Sequence, residues 1–267
     1  MPDAYLTIDD SPSPHTDELT DFLVERGVPA ILFVRGQFMA EETGFQKVVR
    51  AIQKGFLVGN HAYNHDRTSV AGFVSQTTQI LQTQELIDKA YAVAGETVPN
   101  RYIRFPHMDR GTGGWIIDFN RVQPEYRGYV EDLFWDGIRI ETKEPPSAEE
   151  VKLKADMQAW LLAEGFHKLP TPNVAHPWFL QSEMAEAIDA MYTFSTSDWM
   201  LTPRHKGNWP YKTIDDLKRK IDEDPWLQKD NSAHIILAHN DREDSLDITT
   251  SLIDYFLAQD FNFLPIK

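Results

Sequence analysis

The sequence predicts an α/β fold built on a parallel sheet, most simply a (β/α) barrel of the TIM-barrel type. Short apolar runs alternate with helical patterns along most of the chain, and polar side chains follow several of these runs. Strands that alternate with helices pair in parallel, and 267 residues are enough for one barrel. No repeat or domain boundary is evident, so we expect a single domain over 1–267.

The chain is organised around its first predicted strand. Ala4 to Ile8 is apolar and rich in β-branched and aromatic residues, and it leads directly into Asp9 and Asp10. The Ser11-Pro12-Ser13-Pro14 stretch prevents the strand from continuing. Two adjacent carboxylates at the end of a buried strand repel each other unless a cation or a donor lies between them. A turn or N-cap role for Asp9 is the simpler alternative.

The other predicted strands are short apolar runs bounded by turn residues. They cover 30–34, 56–58, 102–105, 173–176, 191–196, 233–238 and 261–266. Helices are predicted over 16–26, 45–54, 74–94 and 148–164, since apolar residues recur there at helical spacing. Gly27 and Gly55 end the first two of these helices.

Composition limits the partners. The formal net charge is −15, which argues against nucleic acid and anionic membrane surfaces as partners. The chain has no cysteine, so any metal must be held by histidine, aspartate or glutamate. No run is long and apolar enough to span a bilayer. Because the first strand begins within a few residues of Met1, no signal peptide is expected. We therefore predict a cytoplasmic protein, or a periplasmic or secreted one if a leader was trimmed. The sequence leaves the oligomeric state open.

Polar residues with catalytic chemistry lie at or just beyond the ends of separate apolar runs. They are Asp9, Asp10, His61, Arg104, Asp198 and His239. In α/β barrels the carboxyl ends of the strands build the active site, so these residues are expected to converge on one mouth.

His61 and His65 form an H-x-x-x-H motif. On a helical turn, residues i and i+4 lie on one face, where two imidazoles can bind one cation. Position 62 is alanine, so this is not the HExxH helix of a zinc protease and a catalytic base must come from elsewhere. A capping or hydrogen-bonding role is the alternative. With a carboxylate from Asp9-Asp10, we predict a metal site with two histidines, one aspartate and open positions.

Five segments resemble, in order, the motifs of the polysaccharide deacetylases, which are carbohydrate esterase family 4 and carry the NodB homology domain. They are Thr7-Ile8-Asp9-Asp10-Ser11-Pro12, His61-x-x-x-His65, Arg104-Phe105-Pro106, Ser197-Asp198-Trp199 and Leu237-Ala238-His239. The resemblance spans essentially the whole chain. It implies a distorted (β/α) barrel of about seven to eight strands, fewer regular ones than a full barrel.

The resemblance also implies a metal. Asp10, His61 and His65 would bind one divalent ion, zinc in the usual case, with cobalt or manganese as alternatives. Three protein ligands leave room for water and substrate, as a catalytic zinc site requires.

Four further residues have implied catalytic roles. Asp9 would be the general base that activates water at the metal, and His239 would protonate the departing amine. Arg104 would pair with Asp9 and keep it ionised, and Asp198 would orient His239.

The implied reaction removes an N-acetyl or related acyl group from an amino-sugar-containing carbohydrate. His107, Trp199 and Leu237 would contact the substrate, with a backbone N–H near His107 stabilising the oxyanion. The alternatives are hydrolysis of a small non-sugar amide on the same fold, and a catalytically idle carbohydrate-binding homologue. A pure binder would need neither Asp9 nor His239, so their presence favours hydrolysis.

The segment 108–171 is predicted to be an insertion that leaves the barrel on the active-site face. A lid over the mouth and packing on the flank are both compatible with its sequence. Several tryptophans could stack on sugar rings, although core packing is the commoner use of this residue. They are Trp115, Trp135, Trp178, Trp209 and Trp226.

Overall fold

The computed structural model describes residues 1–113, 117–133, 145–229, 231–241 and 245–266. Within them, six strands form one parallel sheet: β1 Asp3–Ser11, β2 Ala30–Val34, β3 Leu57–Asn60, β4 Phe194–Ser195, β5 His234–His239 and β6 Asn262–Phe263. The helices are α1 Thr16–Glu25, α2 Gly36–Met39, α3 Glu42–Gln53, α4 Thr68–Ala94, α5 Pro124–Leu133, α6 Ala148–Ala163, α7 Pro177–Leu180, α8 Ile214–Glu223 and α9 Leu246–Ala258. None of these described helices is both long and apolar enough to cross a membrane.

The sheet has β1 at its centre. Its order is β3-β2-β1-β5-β4, and β6 pairs with the first residues of β1. Along β5, the register places Asp9 opposite His239. Along β2, the register shifts between Ile8 and Ser11, where β1 is irregular. All strand pairs are parallel, so the carboxyl ends of the strands lie at one edge of the sheet.

The two faces of the sheet are buried in different clusters, as alternating strand residues require. Leu6, Ile8 and Ile236 belong to the cluster that also holds buried residues of α1, α3 and α9. Tyr5 and Ile235 belong to the opposite cluster. Because both faces are covered, the strands read as continuous apolar runs in the sequence.

Two predicted strands are absent as strands from the described residues. Residues 102–105 are reduced to an isolated bridge between Ile103 and Asn60, followed closely by Pro106, which has no N–H to donate. Residues 173–176 lie between Pro172 and Pro177 and are not part of the sheet; the Asn173 carbonyl accepts from the amide of Ala233.

The described parts of the 108–171 segment pack against the body of the protein. Helix α5 buries Val130 and Leu133 in the cluster that contains Trp178. Helix α6 begins with a capping box at Ser147 and buries Met157 and Leu161 in a third cluster. Trp115 and Trp135 lie outside the described residues. A lid function for the segment stays a prediction.

Candidate active site

The polar residues singled out in the sequence meet at the carboxyl edge of the sheet. Asp9 and Asp10 lie near the end of β1, His239 is the last residue of β5, and His61 follows β3 directly. Arg104 follows the bridge to β3, and its amide donates to the carbonyl of Asn60 at 3.0 Å. The parallel sheet thus brings together residues that are more than 200 positions apart in sequence.

Asp10, His61 and His65 form a candidate metal centre. One potential ligand atom from each residue lies within 4.8 Å of the other two. His65 Nε2 is 3.2 Å from Asp10 Oδ1, and His61 Nε2 is 3.8 Å from the same oxygen. This oxygen is buried and accepts no hydrogen bond, although Arg35 lies 3.6 Å away as a counter-charge. Two imidazoles and an orphaned carboxylate oxygen are the donor set that zinc prefers, so these residues fit a divalent cation.

The ring of His61 is held in the orientation that a metal ligand needs. Its Nδ1 lies 2.8 Å from the carbonyl oxygen of Arg104. A carbonyl can only accept, so Nδ1 carries a proton and Nε2 is the ring nitrogen that faces the aspartates. The motif is not a regular helix, since Ala62 and His65 both have positive φ. The expected i, i+4 stacking is therefore replaced by a turn that still places both rings side by side, with centroids 5.0 Å apart.

The electrostatics favour an ionised Asp10 beside a neutral His65 ring. Burial alone would raise the pKa of Asp10, but the charges of neighbouring side chains, among them His239 and Arg35, lower it below its usual range. Burial lowers the pKa of His65 well below its usual value, despite the opposing effect of Asp10. Burial likewise lowers the pKa of His107 to about 4. At neutral pH the His65 ring is therefore neutral and can offer a lone pair to a cation.

Asp9 is held by Arg104 beside the candidate metal centre. Arg104 Nη1 donates to Asp9 Oδ1 at 2.9 Å and to the Thr7 hydroxyl at 2.8 Å. Its Nε donates to the carbonyl of Ala190, and its guanidinium lies over the ring of Phe33. The other oxygen of Asp9 is 3.7 Å from His61 Nε2. One oxygen is thus fixed by the arginine while the second faces the centre.

His239 and Asp198 form a buried pair. His239 Nδ1 lies 2.7 Å from Asp198 Oδ1, and the backbone N–H of His239 donates to Asp198 Oδ2. Burial by itself would lower the pKa of His239, but the Asp198 carboxylate outweighs it and raises the pKa to about 10. Burial would raise the pKa of Asp198, and His239 lowers it. The imidazole is therefore protonated at neutral pH. Its Nε2 is the ring nitrogen that does not contact Asp198.

Backbone strain is concentrated at this edge of the sheet. All but one of the described non-glycine residues with positive φ lie in the segments that carry the site. They are Asp10, Ala62, His65, His107, Met108 and Ser197, and the exception is Asp260. Such conformations cost free energy and persist where the surroundings impose them, as they do at functional sites.

The three predicted substrate-contacting residues take different positions. The ring of His107 packs against that of His65, with centroids 4.3 Å apart. Trp199 is partly exposed, and its backbone N–H donates to Asp198 Oδ1. Leu237 is a buried sheet residue opposite Thr7 in the register, two positions before His239. Contact of these residues with substrate stays a prediction.

Two residues that support the Asp198–His239 pair were not predicted from the sequence. The Thr249 hydroxyl, from α9, lies within hydrogen-bond distance of two acceptors, Asp198 Oδ2 at 3.1 Å and the His239 carbonyl at 3.0 Å. Lys220, from α8, donates to the Ser195 carbonyl at 2.8 Å and to the Ser197 hydroxyl. Neither belongs to a motif, and only the folded chain brings their helices beside residue 198.

Comparison with known proteins gives a consistent picture. A family model described as polysaccharide deacetylase matches residues 2–112. A chitooligosaccharide deacetylase of Sinorhizobium fredii is 35% identical over 107 residues, which cover 40% of this chain and 47% of that protein. A peptidoglycan-N-acetylglucosamine deacetylase of Bacillus cereus is 26% identical over 51% of this chain and 48% of its own length. The chain thus spans about half the length of these curated relatives.

Similarity to solved structures extends over the whole chain. The crystal structure of a polysaccharide deacetylase from Bacillus cereus superposes with a TM-score of 0.57 at 16% identity, and covers 100% of this chain and 93% of that one. This similarity confirms the predicted fold class. The resemblance to the polysaccharide deacetylases is confirmed over residues 2–112, which hold the first three of the five motifs.

Proposed function

We propose that this chain, a relative of the polysaccharide deacetylases, is a metal-dependent hydrolase that removes N-acetyl groups from an amino-sugar-containing carbohydrate. One observation carries the proposal: a partly buried Asp10-His61-His65 cluster lies beside a carboxylate that Arg104 holds and a histidine that Asp198 holds. This combination supplies a cation site, a base and an acid at a single strand edge.

Asp10 Oδ1, His61 Nε2 and a ring nitrogen of His65 would hold the divalent cation. When bound, the cation supplies a Lewis acid for water and for the acyl carbonyl. Zinc fits the donor set best, and cobalt and manganese are alternatives. The second oxygen of Asp9 is the group placed to accept a proton from the attacking water, because its first oxygen is occupied by Arg104.

His239 is placed to complete the reaction. Its Nδ1 is engaged by Asp198, so its proton on Nε2 can be donated to the departing amine nitrogen. The ion pair keeps the ring charged until that step, and Thr249 fixes the carboxylate that orients it. The names of the relatives support N-acetylglucosamine units of chitooligosaccharide or peptidoglycan as the substrate class.

The test is acetate release from N-acetylated chitooligosaccharides and from peptidoglycan fragments. The protein is stripped with a chelator and assayed before and after addition of zinc. We expect activity only in the zinc-loaded protein. His61→Ala should lose both zinc binding and turnover, whereas His167→Ala, at an exposed histidine, should change neither.

Two results would contradict the proposal. One is stoichiometric zinc binding with wild-type turnover in His61→Ala. The other is a zinc-loaded wild-type protein that releases no acetate from any of these sugars, which would leave the non-sugar amide or the idle binding protein.

A further inference from the structure

We propose that residues 199–212, here called the basic–aromatic loop, bind a carboxylated sugar residue next to the N-acetylated one. The inference rests on the proposed function and adds the charge of the substrate to it. It makes the preferred substrate an acidic glycan, in which a sugar carboxylate lies beside the acetylated amine.

The loop begins at the candidate active site. Trp199 follows Asp198, and its backbone N–H donates to the same carboxylate oxygen that holds His239. The loop then folds back on itself. The carbonyl of Thr202 accepts from the amides of His205 and Lys206, and the Thr202 hydroxyl donates to the carbonyl of Trp199. Its first turn is therefore tied directly to the acid–base pair.

Three aromatic rings are gathered on this loop. The rings of Trp199 and Trp209 meet edge-to-face with centroids 4.9 Å apart, and His205 packs against Trp199 at 5.1 Å. All three are only partly buried, unlike Trp178, which is fully enclosed in the core. Partly exposed rings with a polar edge are suited to the apolar faces and hydroxyls of sugars.

The charge of the loop is opposite to that of the protein. The stretch from Trp199 to Ile214 contains Arg204, Lys206 and Lys212 and no acidic residue, in a chain with a formal net charge of −15. Arg204 and Lys206 are exposed, and Lys212 closes the loop by donating to the carbonyl of Gly207 at 2.7 Å. Exposed positive charges on an otherwise acidic protein create a local potential that attracts an anionic ligand.

A sugar carboxylate fits this combination. Guanidinium and ammonium groups form charge-assisted hydrogen bonds with carboxylates, and the adjoining tryptophans offer a face to the ring that carries the group. A neutral glycan would use the aromatic rings but not the two exposed cations.

The experiment compares two ligands that differ only in charge. One is a tetrasaccharide that alternates N-acetylglucosamine with glucuronate, and the other is its methyl ester. Binding is measured by calorimetry on the zinc-loaded Asp9→Asn protein, so that turnover does not consume the ligand. We expect the acid to bind roughly tenfold more tightly than the ester at low ionic strength, with the ratio falling as salt is added.

Variants assign the effect to the loop. In the same Asp9→Asn background, Arg204→Gln combined with Lys206→Gln should bring the ratio of the two affinities close to one. Lys152→Gln removes an exposed cation on α6 and should leave the ratio unchanged. Trp209→Ala should weaken acid and ester by similar factors, because stacking does not depend on the carboxylate.

Equal affinities for acid and ester in the Asp9→Asn protein would overturn this proposal, and so would a ratio unaffected by the double substitution. If wild-type protein still releases acetate from neutral chitooligosaccharides, only the loop assignment fails. If neither ligand binds and no sugar is deacetylated, the proposed function itself fails.

Discussion

Asp9 and Asp10 are neighbours in sequence whose carboxylates have different partners. Consecutive residues of a regular strand point to opposite faces of the sheet. Here the register slips between Ile8 and Ser11, and Asp10 has a φ of 65°. An irregularity of this kind re-aims a side chain. As a result, both carboxylates reach the ring of His61, at 3.7 and 3.8 Å, and can share one reaction centre.

Asp9→Asn separates the base from the metal ligands. The amide keeps the size of the carboxylate but cannot accept a proton from water, so turnover should fall by roughly two to four orders of magnitude. Zinc content should stay near that of the wild type, because Asp10, His61 and His65 are unchanged. Zinc titration and acetate release on the same sample check both points. A parallel loss of zinc would mean that Asp9 is itself a ligand.

His239→Ala tests the acid. An amine is a poor leaving group unless it is protonated, whereas an activated ester leaves without a proton. The variant should therefore lose about two to four orders of magnitude on N-acetyl substrates and much less on an activated acetyl ester. Rates on the two substrate types give the answer. Equal losses on both would show that His239 does not protonate the leaving group.

At the scale of elements, a glycine in the short strand β3 allows its neighbours to pack closely against it. A Cβ at Gly59 would lie 2.6 Å from an atom of the Phe33 ring and 3.2 Å from the Tyr102 carbonyl. Phe33 is fully buried, and the guanidinium of Arg104 lies over it, 4.7 Å from the ring centroid. A change in packing at β3 would therefore displace Arg104, which holds Asp9, the proposed base.

Gly59→Ala is expected to lower the free energy of unfolding by about 1–3 kcal/mol through overpacking. It should also reduce turnover, since displacement of Phe33 moves Arg104. The matched control is Gly128→Ala in α5, where a Cβ meets no atom within 4 Å. Because alanine favours a helix, this control should gain about 0.5–1 kcal/mol. Urea denaturation measures both, and a Gly59→Ala protein as stable as wild type would refute the packing argument.

The sequence allowed prediction of the elements that begin and end on strong signals. β2 was predicted over its observed range from its apolar run, and α6 to within one residue from its helical pattern. The strand expected over 102–105 was wrong, since Pro106 stops pairing after one bridge. The site residues were predictable because chemistry limits them to strand ends. Thr249 and Lys220, which support these residues, could not be predicted, because only tertiary packing brings them to the site.

At the scale of the whole molecule, β5 carries a histidine at each end with opposite electrostatics. His239, at the site, has a carboxylate partner that raises its pKa to about 10. His234, at the other end, lies beside the imidazole of His176, with ring nitrogens 3.2 Å apart. Burial lowers the pKa of His234 to about 3 and that of His176 to about 4. The two ends of one strand therefore respond differently to acid.

The His176–His234 pair should make the protein sensitive to acid. Between pH 6.5 and their lowered pKa values, both imidazoles stay neutral in the folded state. In the unfolded chain they bind protons over the same range. Their contribution to stability is thus fully present above pH 6.5 and is lost as the pH falls toward about 4 and about 3, the folded pKa values. Replacing both partners, His176→Phe with His234→Phe, removes the titration without leaving one polar group unpaired.

Wild-type protein and the double variant should differ in how steeply the free energy of unfolding changes with pH. Between pH 6.5 and the lowered pKa values, metal-free wild-type protein should lose several kcal/mol more than the double variant, since each unit by which a pKa is lowered on folding is worth about 1.4 kcal/mol. His167→Gln, which removes an exposed histidine, should follow the wild-type slope. Urea midpoints across this range measure all three proteins. His65 and His107 titrate in the same direction but are present in each of them, so they cancel in the comparison. Parallel curves for the wild type and the double variant would mean that the buried pair does not set the acid limit of the fold.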